Sequence, residues 1–374
     1  MRLREKLPLW VNAVTPILSI TDIQQDPDDE DLLVAMGNFT LQGAIQLFGT
    51  IANLAPAEWR TRLLRATLDL LGMDDVSAAQ GTDCNKDPAV YMDVRRWNIP
   101  YLTNVSQETR FPKGKDLFVT QLREVPDHSV TLLCVSGLTD AAMLLEEERA
   151  LFERAIRRVV IMGGIVRKYG SVVLENGFML PDDAANNKFD MQAAEYVYRE
   201  LQARGIPLTI LTKEAAYAVP FPRSFYDELA KTGHPVGIRL RDMQKDSIQH
   251  LWYRANLPTA DPKREGLPAR CDAAWFSTTF LNGDGLDRKG NDSIWDLIYA
   301  FYLYDAMAGV SAIERCAPIY FAPDEIEIRG TAHRIIGMTR ERHNIKYPEA
   351  LRGFIHSQIV SALDIYQQAI LLAA

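Results

Sequence analysis

An apolar run that ends in a burst of carboxylates, within residues 16–35, constrains the fold of this chain more than any other feature. Ile17, Leu18 and Ile20 form a short apolar run that is typical of a buried parallel strand. The apolar residues at 32–36 fit the buried side of a helix. Because ligands bind in an open α/β sheet at the loops that leave the carboxyl ends of strands, the acidic loop between them marks a candidate site.

The loop and the helix start carry six acids: Asp22, Asp26, Asp28, Asp29, Glu30 and Asp31. Crowded carboxylates repel one another unless a cation offsets their charge, and Ca2+ or Mg2+ takes oxygen ligands. The alternative is a solvated turn in which Asp28 or Asp29 caps the helix and favours its positive end. This stretch alone favours the solvated turn, because acidic helix starts are common. The rest of the chain has to decide between the two.

Composition limits the classes of protein that this chain can be. Its 374 residues can bury a sizeable core, and 41 Lys+Arg against 49 Asp+Glu give a net charge of −8. An acidic balance argues against a nucleic-acid partner, and no apolar run reaches the length of about 18 residues that suggests a membrane span. The four cysteines form no CxxC pair, which favours buried thiols. We therefore expect a cytoplasmic protein that contacts neither nucleic acid nor membrane.

Apolar strand patterns alternate with helical patterns along most of the chain. This alternation predicts an α/β fold, with a mostly parallel open sheet and helices on both faces. The predicted strands lie at 44–53, 76–80, 130–139, 158–164 and 207–212, with edge strands within 326–336. Apolar patterns also predict helices at 294–313 and 354–372.

The pattern changes to mixed helices and loops at about 221–292, where several aromatic residues occur. No low-complexity linker precedes this segment, so we interpret 1–374 as one domain and 221–292 as a cap over the sheet. Asp305 lies further along, inside an aromatic and aliphatic run where an unpaired carboxylate would be costly. A cation shared between Asp305 and the acidic loop would remove that cost.

Six segments in one order carry a resemblance to a known family. They are Ser19-Ile-Thr-Asp-Ile-Gln-Gln-Asp-Pro-Asp-Asp29, Phe48-Gly-Thr-Ile-Ala-Asn53, Val135-Ser-Gly-Leu-Thr-Asp-Ala-Ala142, Arg157-Arg-Val-Val-Ile-Met-Gly-Gly164, the run from Leu180 to Ala194, and Leu303-Tyr-Asp-Ala-Met-Ala308. Together they resemble the motifs of the nucleoside hydrolases, the calcium-dependent N-ribohydrolases. The matches span most of the chain, from about Pro16 to Gly337.

The resemblance implies Ca2+ at the carboxyl end of the sheet. Its ligands would be Asp22 or Asp26, Asp29, the backbone carbonyl of Val135 and Asp305. The resemblance also implies the residues that contact substrate. Asp28 and Asn53 would hold ribose hydroxyls, while Met162 and Asn186 would line the sugar.

The implied activity is that of an N-glycosyl hydrolase, which cleaves a ribonucleoside or a related N-glycoside with a calcium-activated water. The general base would be Asp22 or Asp26, and the phenol of Tyr304 would donate a hydrogen bond to the leaving group. The partner would be a small nucleoside-like molecule. Members of this family commonly form dimers or tetramers, so a homo-oligomer is expected.

Three positions depart from the family motifs. Gln24 replaces the second acid of the DxD motif, Ala184 replaces a glutamate on the 5′ side of the sugar, and Tyr304 replaces a histidine. These departures prompt an alternative, in which the fold serves ligand binding or another reaction without nucleosidase activity. Retention of five acids at one sheet edge favours the hydrolase, because a binding protein without metal has little use for them.

Overall fold

The computed structural model describes residues 14–24, 26–84, 86, 99–106, 108–264 and 267–373. Its strands are β1 (Thr15–Thr21), β2 (Ile45–Ala52), β3 (Ser77–Gln80), β4 (Val130–Cys134), β5 (Ile156–Met162), β6 (Arg167–Lys168), β7 (Ser171–Val172), β8 (Leu174–Glu175), β9 (Phe178–Met179), β10 (Leu208–Leu211), β11 (Asp324–Ile328) and β12 (Thr331–Ile336). Across these described ranges, no helix is long and apolar enough to cross a membrane.

Eight of the strands form one sheet in the order β11-β12-β10-β5-β4-β1-β2-β3. Every neighbouring pair is parallel except β11 and β12, which form an antiparallel edge. Strands β6 with β7 and β8 with β9 make two separate small hairpins. The predicted α/β fold with a mostly parallel sheet is confirmed, and so are the edge strands within 326–336.

Helices surround this sheet. They are α1 (Asp28–Leu41), α2 (Ala57–Leu70), α3 (Gly114–Arg123), α4 (Thr139–Glu147), α5 (Arg149–Ala155), α6 (Ala185–Phe189), α7 (Met191–Ala203), α8 (Lys213–Tyr217), α9 (Ser224–Lys231), α10 (Pro235–Ala255), α11 (Ala273–Phe280), α12 (Tyr304–Ala312), α13 (Ala317–Tyr320) and α14 (Pro348–Ala373), with 3-10 turns at Pro100–Asn104, Pro262–Arg264 and Trp295–Leu297.

Both faces of the sheet are buried. Consecutive residues of β1 show the division, since Ile17 belongs to one apolar cluster and Leu18 to the other, and both are fully buried. The first cluster contains residues of α1, α2, α12 and α14, and the second contains residues of α3, α4 and α7. Because side chains alternate across a strand, a sheet with helices on both faces requires apolar residues at successive positions.

The helix predicted over 294–313 is shorter in the structure. Only Tyr304–Ala312 forms an α-helix, and the preceding residues contain a 3-10 turn at Trp295–Leu297. Phe301 exchanges two backbone hydrogen bonds with Phe221, at 2.8 and 2.9 Å, which holds this segment in an extended conformation. The apolar run therefore reflects burial by tertiary contacts, which resembles a helical pattern in the sequence.

His333 on β12 gives the fold a calculable pH dependence. It is fully buried, its Nδ1 accepts from the backbone N–H of Leu208 at 3.2 Å, and burial lowers its pKa from 6.5 to about 4. Between these pH values the unfolded chain binds a proton that the folded chain does not. This contribution to stability is therefore lost as pH falls from 6.5 to 4.

We expect the free energy of unfolding to fall more steeply over this pH range in the wild type than in His333→Gln. The difference should accumulate to roughly 3 kcal/mol by pH 4, because each unit of difference in pKa corresponds to 1.36 kcal/mol. Urea unfolding at pH 7, 5.5 and 4.5 measures it, with His128→Asn at an exposed position as the control. Parallel curves for the wild type and His333→Gln would contradict the assignment.

Candidate active site

The acidic loop opens into a cavity of about 350 Å³ at the carboxyl edge of the sheet. Three of its lining residues, Val135, Met162 and Thr212, end or directly follow the parallel strands β4, β5 and β10. Five of the acids that line it come from the loop after β1 and from the starts of α1 and α12, and Asp182, Asp183 and Glu214 line it from the loop before α6 and from α8. Because the carboxyl ends of parallel strands meet at one edge, residues distant in sequence converge there.

Four carboxylates form the acidic end of this cavity. One oxygen from each of Asp26, Asp28, Asp29 and Asp305 lies within 4.8 Å of the others. Asp26 is exposed and the other three are buried. The backbone N–H of Asp305 also points at Asp28, 3.4 Å from its Oδ2. The structure therefore joins the first turn of α1 to the first turn of α12 through one acidic cluster.

The raised pKa values of the buried acids in this cluster indicate that their ionised forms require a nearby cation. Burial, reinforced by the neighbouring carboxylates, raises the pKa of Asp28, Asp29 and Asp305 well above the usual range. Each of these groups is stabilised as a carboxylate if a cation lies among them, since opposite charge favours the ionised form. Four convergent carboxylate oxygens are a donor set suited to a hard divalent cation. The residues present therefore fit the metal that the family resemblance implies.

These acids do not form a solvated helix cap. Helix α1 is preceded by Pro27, and no side chain caps it. Instead, Asp29 accepts hydrogen bonds from the hydroxyl of Thr21 and from the backbone N–H of Asp22, the latter at 3.1 Å. These bonds hold Asp29 against the end of β1. The alternative of a solvated, capping turn is therefore wrong.

Asp22 occupies a different place from the four clustered acids. It is buried and lines the same cavity, yet its carboxylate is not among the oxygens that converge in the described cluster. Burial raises its pKa to about 7, although the charge of Arg60 opposes this effect. The sequence left Asp22 and Asp26 as equal candidates for metal ligand. The structure groups Asp26 with Asp28, Asp29 and Asp305.

Arg60 on α2 supports the acidic loop from behind. Its side chain is buried and donates to the backbone carbonyls of Asp22 (2.5 Å), Ile23 (2.9 Å), Leu54 (3.0 Å) and Ala55 (3.1 Å). The guanidinium thus supplies a fixed positive charge beneath the carboxylates. Arg60 was not predicted from the sequence, because a helical pattern does not identify which arginine turns inward.

The remaining two acids of α1 point away from the cavity. Glu30 is fully buried and accepts from the hydroxyls of Thr67 (2.8 Å) and Tyr101 (2.9 Å), and it pairs with Arg239 of α10. Asp31 accepts from the hydroxyl of Tyr226, at 2.8 Å. The two acids therefore tie α1 to its surroundings, while Asp28 and Asp29 face the cavity.

The two predicted sugar-binding asparagines lie in different environments. Asn186 lines the cavity, and its Nδ2 donates to the carbonyls of Val135 (3.0 Å) and Met162 (3.1 Å). Asn53 is fully buried and is not among the residues that line the described cavity. Its amide donates to Gly137 and Asp140, and its Oδ1 accepts from Ser136. Its role toward ribose stays a prediction.

Aromatic side chains form another wall of the cavity. Tyr304, at the start of α12, is half-buried beside Tyr217, with ring centroids 6.2 Å apart, and both line the cavity together with Trp275 of α11. Burial raises the pKa of Tyr304 well above its usual range, so the phenol keeps its proton. The cavity thus combines acids at one end with a hydroxyl donor and aromatic faces.

Gly164 follows β5 and allows a close approach between two segments of the cavity lining. A Cβ at Gly164 would lie 2.2 Å from Oδ1 of Asp182, which is far inside van der Waals contact. Asp182 needs that position, because its Oδ1 accepts from the backbone N–H of Ala184 at 2.9 Å. The glycine therefore allows the loop before α6, which lines the cavity, to approach the end of β5.

The fold and the acid-lined cavity define the nucleoside hydrolase class. The chain matches the family model "Inosine-uridine preferring nucleoside hydrolase" over residues 25–342. The chain belongs to this family. The comparison with curated proteins found no match.

Solved structures with the same fold include both effectors and enzymes. The type III effector protein XopQ, complexed with adenosine diphosphate ribose, is 28% identical, with a TM-score of 0.78 over 96% of this chain and 97% of that chain. A purine-preferring ribonucleoside hydrolase from Gardnerella vaginalis is 15% identical, with a TM-score of 0.58 over 94% of this chain and 100% of that chain. An inosine-uridine preferring nucleoside hydrolase from Bacillus anthracis is 15% identical, with a TM-score of 0.56 over 94% and 99%.

Proposed function

We propose that this protein hydrolyses the N-glycosidic bond of a ribonucleoside or a related N-glycoside, with Ca2+ bound at the acidic end of the cavity. The convergence of Asp26, Asp28, Asp29 and Asp305 carries this proposal. These four carboxylates would hold the cation, and the nearby carbonyl of Val135 is a further candidate ligand. A bound cation would lower the pKa of a water molecule and orient it.

Asp22 would take the proton from the attacking water. It lines the cavity beside the cluster, and its backbone is held by Arg60 and Asp29. A general base must lie within reach of the proton that it accepts and must be ionised at the working pH. Asp26 is the alternative base, and its place within the four-acid cluster favours metal binding instead.

The sugar and the base would occupy the rest of the cavity. Ribose would lie against Asp28, Asn186 and Met162, all of which line it. The transition state of such a reaction has the character of an oxocarbenium ion, which a carboxylate environment stabilises. The departing base would lie toward the wall formed by Tyr217, Tyr304 and Trp275. We propose residues 221–292 as a cap, because Trp275 and Arg270 within it line the cavity.

Release of free base from purine and pyrimidine ribonucleosides tests the proposed function. The purified protein is incubated with each nucleoside in Ca2+ and, in parallel, in excess chelator. We expect release that depends on Ca2+ and that ranks the bases. Absence of release for every nucleoside, in a sample shown to bind Ca2+, would contradict nucleosidase activity.

Replacement of Tyr304 by phenylalanine tests the role of its hydroxyl. If the phenol donates a hydrogen bond to the departing base, we expect kcat to fall about 100-fold, with KM nearly unchanged. The steady-state kinetics of the best nucleoside measure both constants. Tyr299→Phe, at an exposed position, is the matched control. An unchanged kcat in Tyr304→Phe would contradict a catalytic role for the hydroxyl of Tyr304.

A second candidate function is ligand binding without cleavage. XopQ was solved with adenosine diphosphate ribose, and it is similar to this chain over nearly its whole length. Tyr304 and Gln24 stand where the family motifs carry a histidine and an acid, so the chemistry differs from theirs at these positions. Calcium-dependent binding of adenosine diphosphate ribose, with no base released from any nucleoside, would support this second candidate.

A further inference from the structure

Positive side chains that belong to other elements than the acidic cluster line or adjoin the cavity. Lys213, at the start of α8, and Arg270, before α11, both line the cavity and are exposed. Arg340 lies over the ring of Tyr217, with its guanidinium carbon 4.8 Å from the ring centroid. Tyr217 is itself a lining residue and a neighbour of Tyr304. We name Lys213, Arg270 and Arg340 the cationic rim.

The charges of the cationic rim are only partly compensated, although Asp182, Asp183 and Glu214 also line the cavity. Among the residues that the structure describes, Lys213 and Arg340 have no carboxylate within ion-pair distance. Arg270 has a long ion pair of 3.7 Å with Asp183, in which the two side chains are 60% and 65% exposed. An exposed pair at this distance contributes little to stability. These cations are therefore available to a ligand.

Arg167 differs from the cations of the rim, because its charge is paired. It lines the same cavity, but it pairs with Glu214 at 3.2 Å and lies 3.9 Å from Asp182. It also donates to the backbone carbonyls of Gly337 and Met338. Its guanidinium therefore has an ionic partner and backbone hydrogen bonds that stabilise the fold. The difference between Arg167 and the rim argues that the rim cations are not needed to hold the fold.

The positive charges of Lys213 and Arg270 both affect the thiol of Cys271. The charges of both lower the pKa of Cys271, although burial raises it overall. Cys271 also lines the cavity, so the two cations flank one part of its wall. Two cations around a cavity focus the field on an incoming anion. Phosphate oxygens are strong acceptors for Lys and Arg donors.

We infer that the ligand of this cavity is a ribose that carries phosphate, with its hydroxyls at the acidic cluster and its phosphate at the cationic rim. This inference rests on the proposed function for the position of the ribose. It deepens that function by naming a substrate class, a phosphorylated ribonucleoside or a ribose diphosphate. A neutral nucleoside would leave Lys213 without an ionic partner among the described residues and Arg270 with only its long, exposed pair to Asp183.

Ribose 5-phosphate and ribose test the inference, because neither contains an N-glycosidic bond and binding is then independent of turnover. Calorimetry in Ca2+ should give ribose 5-phosphate an affinity at least about 10-fold above that of ribose, which corresponds to one charge-assisted contact. Lys213→Gln and Arg270→Gln should each lower the ratio of the two affinities about 5- to 10-fold. Lys245→Gln, at an exposed site outside the cavity lining, should keep the wild-type ratio.

The affinity of a second ligand, adenosine diphosphate ribose, shows whether the cavity binds a monophosphate or a diphosphate. Adenosine diphosphate ribose that binds much more tightly than ribose 5-phosphate indicates a diphosphate, and equal affinity indicates a monophosphate. A ribose 5-phosphate affinity no higher than that of ribose would overturn the inference, and so would a ratio that both rim variants leave unchanged. Base release from neutral nucleosides would then still support the proposed hydrolase, so the two failures are distinguishable.

Discussion

Asp305→Asn should lose Ca2+ binding and base release together. The side chain is one of four convergent carboxylates, and asparagine keeps one oxygen there but removes the negative charge that attracts the cation. We expect more than a 100-fold loss of metal affinity, because even outer partners of metal ligands contribute about 10- to 100-fold. Calorimetry of Ca2+ binding and an assay of base release on one preparation measure both losses. Asp29→Ala should behave in the same way.

In the absence of metal, Asp305→Asn should be more stable than the wild type. Asp305 is buried among carboxylates that raise its pKa, so removal of its charge relieves repulsion in the folded state. In chelator, Asp305→Asn should therefore unfold at a higher temperature than the wild type. Asp246→Asn, at an exposed position on α10, is the control. Full activity and full Ca2+ binding in Asp305→Asn would show that the metal site is wrongly assigned.

Arg239→Met should cause the largest loss of stability. Arg239 and Glu30 form an ion pair with side chains only 8% and 0% exposed, which joins α10 to the first turn of α1. Removal of one partner leaves an uncompensated buried charge, at a cost of about 3–5 kcal/mol in the free energy of unfolding. Urea unfolding at neutral pH measures this loss. Because Glu30 directly follows Asp29, we also expect weaker Ca2+ binding.

A double variant separates the charge effect from packing. Glu30→Gln with Arg239→Met removes both charges and keeps an oxygen to accept from Thr67 and Tyr101. Replacement of a buried ion pair by neutral groups is often close to neutral in free energy. We therefore expect the double variant to recover most of the lost stability. A loss below about 0.5 kcal/mol in Arg239→Met would contradict this account of the pair, since that is the range of surface substitutions.

The sequence was most informative where local pattern and structure coincide. Residues 17–20 and 208–211 are short runs with both faces buried, and such runs predict the parallel sheet directly. Asp305 was also predictable, because an acid in an apolar run requires a partner. The run at 294–303 misled, since its apolar residues are buried by contacts with residues far away in sequence.

The partners within the site were beyond sequence reasoning. Arg60, Arg239 and Lys213 become significant only through the fold, which turns the first two inward and brings the third to the cavity. Nothing local distinguished Asp28 and Asp29, which face the cavity, from Glu30, which pairs with Arg239. Periodicity identifies an acidic stretch, whereas long-range contacts decide which of its acids converge.

A Ca2+ titration of base release is the most direct test of the central claim, that the four-acid cluster is a metal centre for N-glycosidic hydrolysis. Chelator-treated protein is given the best nucleoside of the panel, and the rate is followed as free Ca2+ rises. We expect no release without Ca2+ and a rate that follows the calorimetric binding curve of one site. A rate that is the same in chelator and in saturating Ca2+ would contradict it.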